Sequence, residues 1–203
     1  MTTAATATTA LAPAAVTTRL STVSDVERLH PIINTAYRSD KSWTNESELV
    51  KGERITADEL RAQIEAHVDP ILVAEVDGEV VGCIQVECTQ QYSASGCYVN
   101  NLVCRNHPDL NLPEDAALIG LLAVHSEFQS RGLGKTLFGA AAAFAYSEGA
   151  CTKAMMFVIN KRTDIQAWYE RLGFQWTGEK REFVFPDLTL QDDIWFKIYE
   201  KAL

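Results

Sequence analysis

Residues 121–136 read LLAVHSEFQSRGLGKT, an apolar run that gives way at Gln129-Ser130-Arg131-Gly132-Leu133-Gly134 and then passes into an alanine-rich helical pattern. The change of pattern predicts a strand, a tight loop and a helix in succession. Gly132 and Gly134 permit backbone geometry and close approach that a Cβ would obstruct, and N–H groups at a helix start face an anion with the helix dipole behind them. The stretch therefore reads as a phosphate cradle. Two nucleotide-type loops are excluded by the letters. A Walker loop needs glycine where Gln129 stands, and a dinucleotide fingerprint needs a third glycine where Leu137 stands.

The remaining composition bounds the class. With 203 residues, 47% of them hydrophobic and 22% charged, the chain is long enough for one well-buried core. A single domain is expected over residues 16–203. Residues 1–15 are nearly all Ala, Thr and Leu, without the basic start of a signal peptide or the arginines of a transit peptide, and are expected to be a disordered tail. The net charge of −9 argues against nucleic acid or an anionic membrane as main partner and mildly favours a cationic substrate. No apolar run is long enough to span a bilayer.

Five cysteines, at 83, 88, 97, 104 and 151, form no C-x-x-C pair and leave an odd count, which suits a reducing, cytoplasmic compartment. Cys97, Cys104 and His107 match no familiar zinc spacing, so no metal is expected.

Hydrophobic period and turn chemistry order the rest. A first strand is predicted at 17–21, then a helix toward Tyr37 with Leu29, Ile32, Ile33 and Ala36 on one face. A polar segment, 38–54, precedes a capping box at Thr56-Ala57-Asp58-Glu59 and a helix through about His67. β-rich runs at 71–76 and 79–88 flank Asp77-Gly78, a hairpin signal, and this meander is expected to be the central sheet. Residues 89–115, with Tyr92 and Tyr98, show no clear period beyond a short strand at 98–104, and an insertion of this length is often functional. A strand at 116–124, the glycine loop, a helix to about Glu148, a strand at 152–159, a helix at 164–172 and strands at 174–178 and 193–199 follow. The strand-helix-strand order after residue 115 predicts a right-handed crossover with the loop at the carboxyl end of its strand.

A second stretch, INKRTDIQAWYERLGF at 159–174, ends in Tyr-x-x-x-Gly-Phe. Together with Gln-x-x-Gly-x-Gly after Leu-Leu-Ala-Val, in this order and distance, it makes residues 17–203 resemble the GNAT superfamily of N-acetyltransferases, in its small-molecule-type branch. The resemblance implies a mixed α/β fold: a central, mostly antiparallel twisted sheet, splayed at the cofactor site and flanked by helices. It further implies acetyl-CoA as co-substrate, with direct attack of an amine on the thioester.

On that resemblance, Leu122, Ala123 and Val124 meet the pantetheine arm, and the N–H of Val124 or its neighbour serves the oxyanion. Gln129, Ser130, Arg131, Gly132, Leu133, Gly134, Lys135 and Thr136 hold the diphosphate, and Asn160, with Arg162 beside it, touches the cofactor. Tyr169 occupies the position of the acid that protonates the leaving thiolate. An ammonium must lose a proton before it attacks; Glu87 is the first candidate base and Glu46 the second, while His125 at the strand exit reads as structural. Tyr37, Trp43 and Glu46, with the 89–115 insertion and Tyr98, are expected to choose the acceptor, since aromatics with a carboxylate suit an ammonium.

The expected activity is acetylation of a small-molecule amine by a monomer or homodimer. Acetylation of a protein N-terminus or lysine, and a non-catalytic acyl-CoA sensor, are the alternatives.

Overall fold

Asp77 and Gly78 both take positive φ, 53° and 85°, the backbone of a two-residue turn whose twist matches its strands. The computed structural model describes residues 15–67, 69–88, 90–92, 98–100, 113–183 and 185–203. Its elements are β1 (Val16–Leu20), α1 (Val26–Arg38), α2 (Ala57–Ala66), β2 (Ile71–Val76), β3 (Glu79–Cys88), β4 (Gln90–Tyr92), β5 (Tyr98–Asn100), β6 (Ala116–Val124), α3 (Leu133–Ser147), β7 (Lys153–Ile159), α4 (Thr163–Arg171), β8 (Gln175–Glu182) and β9 (Trp195–Ala202). Seven strands form one sheet in the order β1-β2-β3-β6-β7-β9-β8, and β4 pairs with β5 apart from it. The hairpin is thus the first half of the sheet, with β6 at its middle.

Apolar periodicity decides which helix covers which face. Leu29, Ile32, Ile33 and Ala36 of α1, with Leu60 and Ile64 of α2, pack over Val73, Cys83 and Leu121. Leu133, Leu137, Ala141 and Ala145 of α3 pack on the other face over Leu72, Val81, Ile84 and Val86. Each such leucine or isoleucine contributes about 1.5–3 kcal/mol by burial. The capping box at the start of α2 forms in full: Glu59 N–H donates to Thr56 Oγ1 at 3.2 Å and Thr56 N–H to Glu59 Oε2 at 2.8 Å.

β6 and β7 are the parallel pair, joined through α3, and their pairing stops early. Only Ala116–Leu118 faces Lys153–Met155; beyond Leu118, β6 has no partner on that edge among the described residues. The strand also carries an extra residue, since its register against β3 shifts between Cys83 and Gln85, where Leu121 takes φ 47°. A bulge of this kind bends a strand and raises its twist. The sheet opens into a wedge at that point.

The last strands are longer than predicted. Gly178 ends the run at 174–178 in the sequence, yet at φ 88° it lies within an irregularity of β8 between Trp176 and Lys180, after which pairing with β9 resumes. β9 begins at Trp195 and runs to Ala202, displaced from the expected 193–199. The tail to residue 14, Cys97, Cys104, His107 and most of the 89–115 insertion lie outside the described residues, and the strand expected at 98–104 is described only over Tyr98–Asn100.

Candidate active site

The glycine loop closes on the mouth of the wedge. His125 N–H donates to Val81 O at 2.8 Å, so strand alternation aims the backbone groups of Val124, and of Leu122 two residues earlier, at the open edge. Val124 O is taken by the Gln129 side chain, Nε2 to O 3.0 Å. Ala123 is buried. After Gln129, Ser130 at φ 62° and Gly132 at φ 82° reverse the chain, and α3 begins at Leu133. The N–H groups of Ser130, Arg131, Gly132, Leu133 and Gly134 have no acceptor among the described residues, whereas Lys135 and Thr136 N–H both return to Gly132 O. Backbone donors left bare beside a helix N-terminus bind an anion. Arg131, stacked over Phe128 at 5.0 Å, and Lys135 supply positive charge in a chain that is acidic overall. Gly134 has a steric reason too: a Cβ there would come 3.2 Å from Trp168 Cζ2.

Trp168 leads to an aromatic cluster. Its ring meets Trp43 edge-on at 6.3 Å and Tyr169 at 5.0 Å, and Tyr169 meets Phe174 at 5.8 Å. Tyr169 is half-buried on α4, and among the described residues its hydroxyl has no hydrogen-bond partner. Burial, reinforced by the nearby Tyr37 phenol, pushes its pKa well above that of a free tyrosine. The phenol therefore holds its proton throughout the neutral range. Tyr37, at the end of α1, is pushed up to about 12, again chiefly by burial, and Arg54 lies over its ring at 5.1 Å.

Of the two carboxylates, Glu46 is committed to cations: Arg38 Nη1 lies 3.1 Å from Oε2 and Arg162 Nη1 3.9 Å from Oε1. Glu87 is only 8% exposed, so it is no solvated strand residue. It sits opposite Leu118, the rung at which β6 and β7 part. Lone carboxylates on strands are usually solvated, and only the tertiary placement marks this one.

Three further residues singled out in the sequence bond within the chain. Asn160 spends its amide on the chain, Nδ2 donating to Asp193 O at 2.9 Å and Oδ1 accepting from Trp195 N–H at 3.2 Å, which ties the end of β7 to β9. Arg162 grips Asp164 in two hydrogen bonds, 2.9 and 3.0 Å, and donates to Thr44 O at 2.8 Å. His125 caps a short turn, Nδ1 accepting from Glu127 N–H at 3.4 Å, and borders a cavity of about 120 Å³ with Arg28 and Thr35.

Sequence reasoning missed Ser42. It is 1% exposed, and its Oγ accepts from Gln129 Nε2 at 2.9 Å and meets Thr44 Oγ1 at 2.8 Å. No motif signals a bond between residues 87 positions apart. The polar segment 39–54 is thus a strap, fixed to the glycine loop by Ser42, to α4 by Arg162, and to a later turn by Lys51 N–H donating to Leu188 O at 2.9 Å.

Among the described residues no group of His, Cys, Asp and Glu could hold a metal, and no helix is long and apolar enough to cross a membrane. Comparison with curated proteins finds no match. Solved structures share the fold. Salmonella typhimurium yncA, solved with its cofactor acetyl-CoA, superposes with TM-score 0.62 at 16% identity, covering 93% of this chain and 94% of its own. A spermidine N-acetyltransferase variant from Vibrio cholerae gives 0.61 at 16%, covering 92% and 93%. A ribosomal-protein-alanine N-acetyltransferase from Brucella melitensis gives 0.62 at 18%, covering 92% and 99%. The sequence itself matches the acetyltransferase (GNAT) family over residues 29–174, and the chain belongs to that family of acyltransferases.

Proposed function

We propose that the protein transfers the acetyl group of acetyl-CoA to the amine of a small molecule. The observation that carries this reading is the run of bare N–H groups from Ser130 to Gly134 at the N-terminus of α3, set at the mouth of the wedge. It fits a diphosphate, and Arg131 and Lys135 add charge where the phosphates would lie. Acetyl-CoA supplies a thioester carbon open to attack. Leu122 offers backbone groups to the pantetheine arm, the N–H of Val124 steadies the developing oxyanion, and Tyr169 donates its phenolic proton to the departing sulfur. Glu87, five residues along β3 from the rung of Val124, accepts the amine's proton through water. Glu46, gripped by two guanidiniums, shapes the strap with Tyr37 and Trp43.

Neighbours named for spermidine and for a ribosomal-protein alanine use one scaffold, so the scaffold does not choose the acceptor. The small acceptor is inferred from the aromatic side chains of this end, Tyr37 and Trp43, which suit an ammonium. The free thiols Cys83, Cys88 and Cys151 suit a reducing cytoplasm.

The test is release of CoA thiol from acetyl-CoA by purified protein over a panel of polyamines, amino-acid derivatives, amino sugars, arylamines and peptides. Release dependent on a small amine is expected. Release with peptides alone would replace the small-molecule reading, and acetyl-CoA binding without any release would turn the protein into a sensor.

A further inference from the structure

One buried donor on β3, beside the wedge, has no partner among the described residues. Gln85 is 5% exposed, and its Nε2 is enclosed without a hydrogen-bond acceptor among the described residues. Buried amides are almost always satisfied, so an orphan asks for an explanation. Its placement gives one. Gln85 is the cross-strand partner of Gly120, two residues past the rung where β6 and β7 part, and cross-strand partners share a face. That face is the one that carries Glu87 opposite Leu118. Above Gly120 there is room: a Cβ built there meets no atom within 4 Å. Among the described residues a donor, a carboxylate and an open floor thus stand together on one face of the sheet, along β3 from the rung of Val124.

We propose that Gln85 is a specificity-determining residue, its carboxamide N–H donating to a carbonyl oxygen of the acceptor close to the reacting amine. This rests on the acetyl-transfer reading above and names its substrate class: an α-amine beside a carbonyl, as in an amino-acid derivative. Side chains two apart on one face of a strand stand about 7 Å from each other, and an N–C–C–O unit with ends roughly 3 Å apart reaches both Glu87 and Gln85 through hydrogen bonds of about 2.9 Å that slant inward to it. The next nitrogen of a polyamine is a charged donor, and a donor cannot receive the Gln85 N–H.

The experiment compares leucinamide with isopentylamine, which lacks only the carboxamide, alongside spermidine and a leucine-led tripeptide. The tripeptide separates a free amino-acid derivative from a chain terminus as the source of the α-amine. The natural protein is expected to favour leucinamide by at least about tenfold in kcat/KM, a factor in keeping with one polar contact. Gln85→Met should bring the ratio to within about twofold while the melting midpoint holds or rises, because an unsatisfied buried donor has been removed. Gln85→Leu serves if the Met variant does not fold. A preference that survives both substitutions, or a natural protein that prefers isopentylamine or spermidine, overturns the proposal.

Thermal shift in the presence of CoA separates the two readings. Stabilisation by leucinamide that Gln85→Met abolishes, with no amine turned over, sinks the acetyl-transfer reading and keeps only the contact of Gln85 with the carbonyl of a bound α-amine. Turnover with no preference for leucinamide does the reverse.

Discussion

Between Val124 and Thr136 the protein works with its backbone; between Arg38 and Arg54 it works with side chains. The loop combines Ser130 and Gly132 at positive φ with N–H groups that no other described residue claims. The strap owes its shape to Gln129 reaching Ser42, Arg162 reaching Thr44 and Arg38 holding Glu46. Backbone geometry is local, so a few residue types at fixed spacing suffice to make a cradle. Side-chain clamps join segments far apart in the chain, and many residues could serve at either end. On the proposed function, the first region suits an unchanging cofactor, and the second is free to be rebuilt for a different acceptor.

The widest break in this comparison should come from Gly134→Glu. A carboxylate at that place repels the diphosphate, and its Cβ must displace the Trp168 ring, which would lie 3.2 Å away. Acetyl-CoA affinity should fall by about 10³-fold, or roughly 4 kcal/mol, by calorimetry, with the far-ultraviolet circular dichroism spectrum preserved. Unaltered binding would show that the bare N–H groups are not the cradle.

Next comes Tyr169→Phe, which keeps the ring stack on Trp168 and Phe174 and deletes only the phenol proton. A fall in kcat of about 10²-fold, at the lower end for a lost general acid, is expected with acetyl-CoA affinity within about twofold. Burial raises the Tyr169 pKa, so the proton stays in place as pH rises. The natural protein should therefore show no alkaline loss of kcat from this group up to about pH 10. An alkaline limb that begins near neutrality and vanishes in the Phe variant would contradict the burial argument.

What could be read in the sequence follows the same division. The glycines, the helix period of α3, the Asp77-Gly78 turn and the Thr56 capping box are local signals, and each marks the right element. Gly178 was misleading for a physical reason: in one strand a glycine reads as a stop, while in a paired strand its positive φ is absorbed as an irregularity and pairing resumes. Glu87 and Gln85 look like ordinary polar strand residues until the splay beside Leu118 places them over an open wedge. Arg162 reads as a cofactor contact because of its motif, and the fold adds its bonds to Asp164 and Thr44, which join residues that no local signal pairs.

The smallest expected effect tests whether the two regions are separable at all. Ser42→Ala deletes the hydroxyl that accepts from Gln129 and meets Thr44, at a cost of about 1 kcal/mol in stability. Gln129 keeps its bond to Val124 O, so the loop retains its own brace. If strap and cradle are independent, the acceptor KM should rise about fivefold, the same 1 kcal/mol expressed at the acceptor side, while acetyl-CoA affinity changes by less than about twofold. An equal loss in both constants would mean that Ser42 transmits the order of one region to the other. By reciprocity of coupling, cofactor binding would then tighten acceptor binding by the same factor. Titrating the acceptor at low and at saturating CoA in the natural protein measures that factor directly, and a value near one would confine Ser42 to holding the strap.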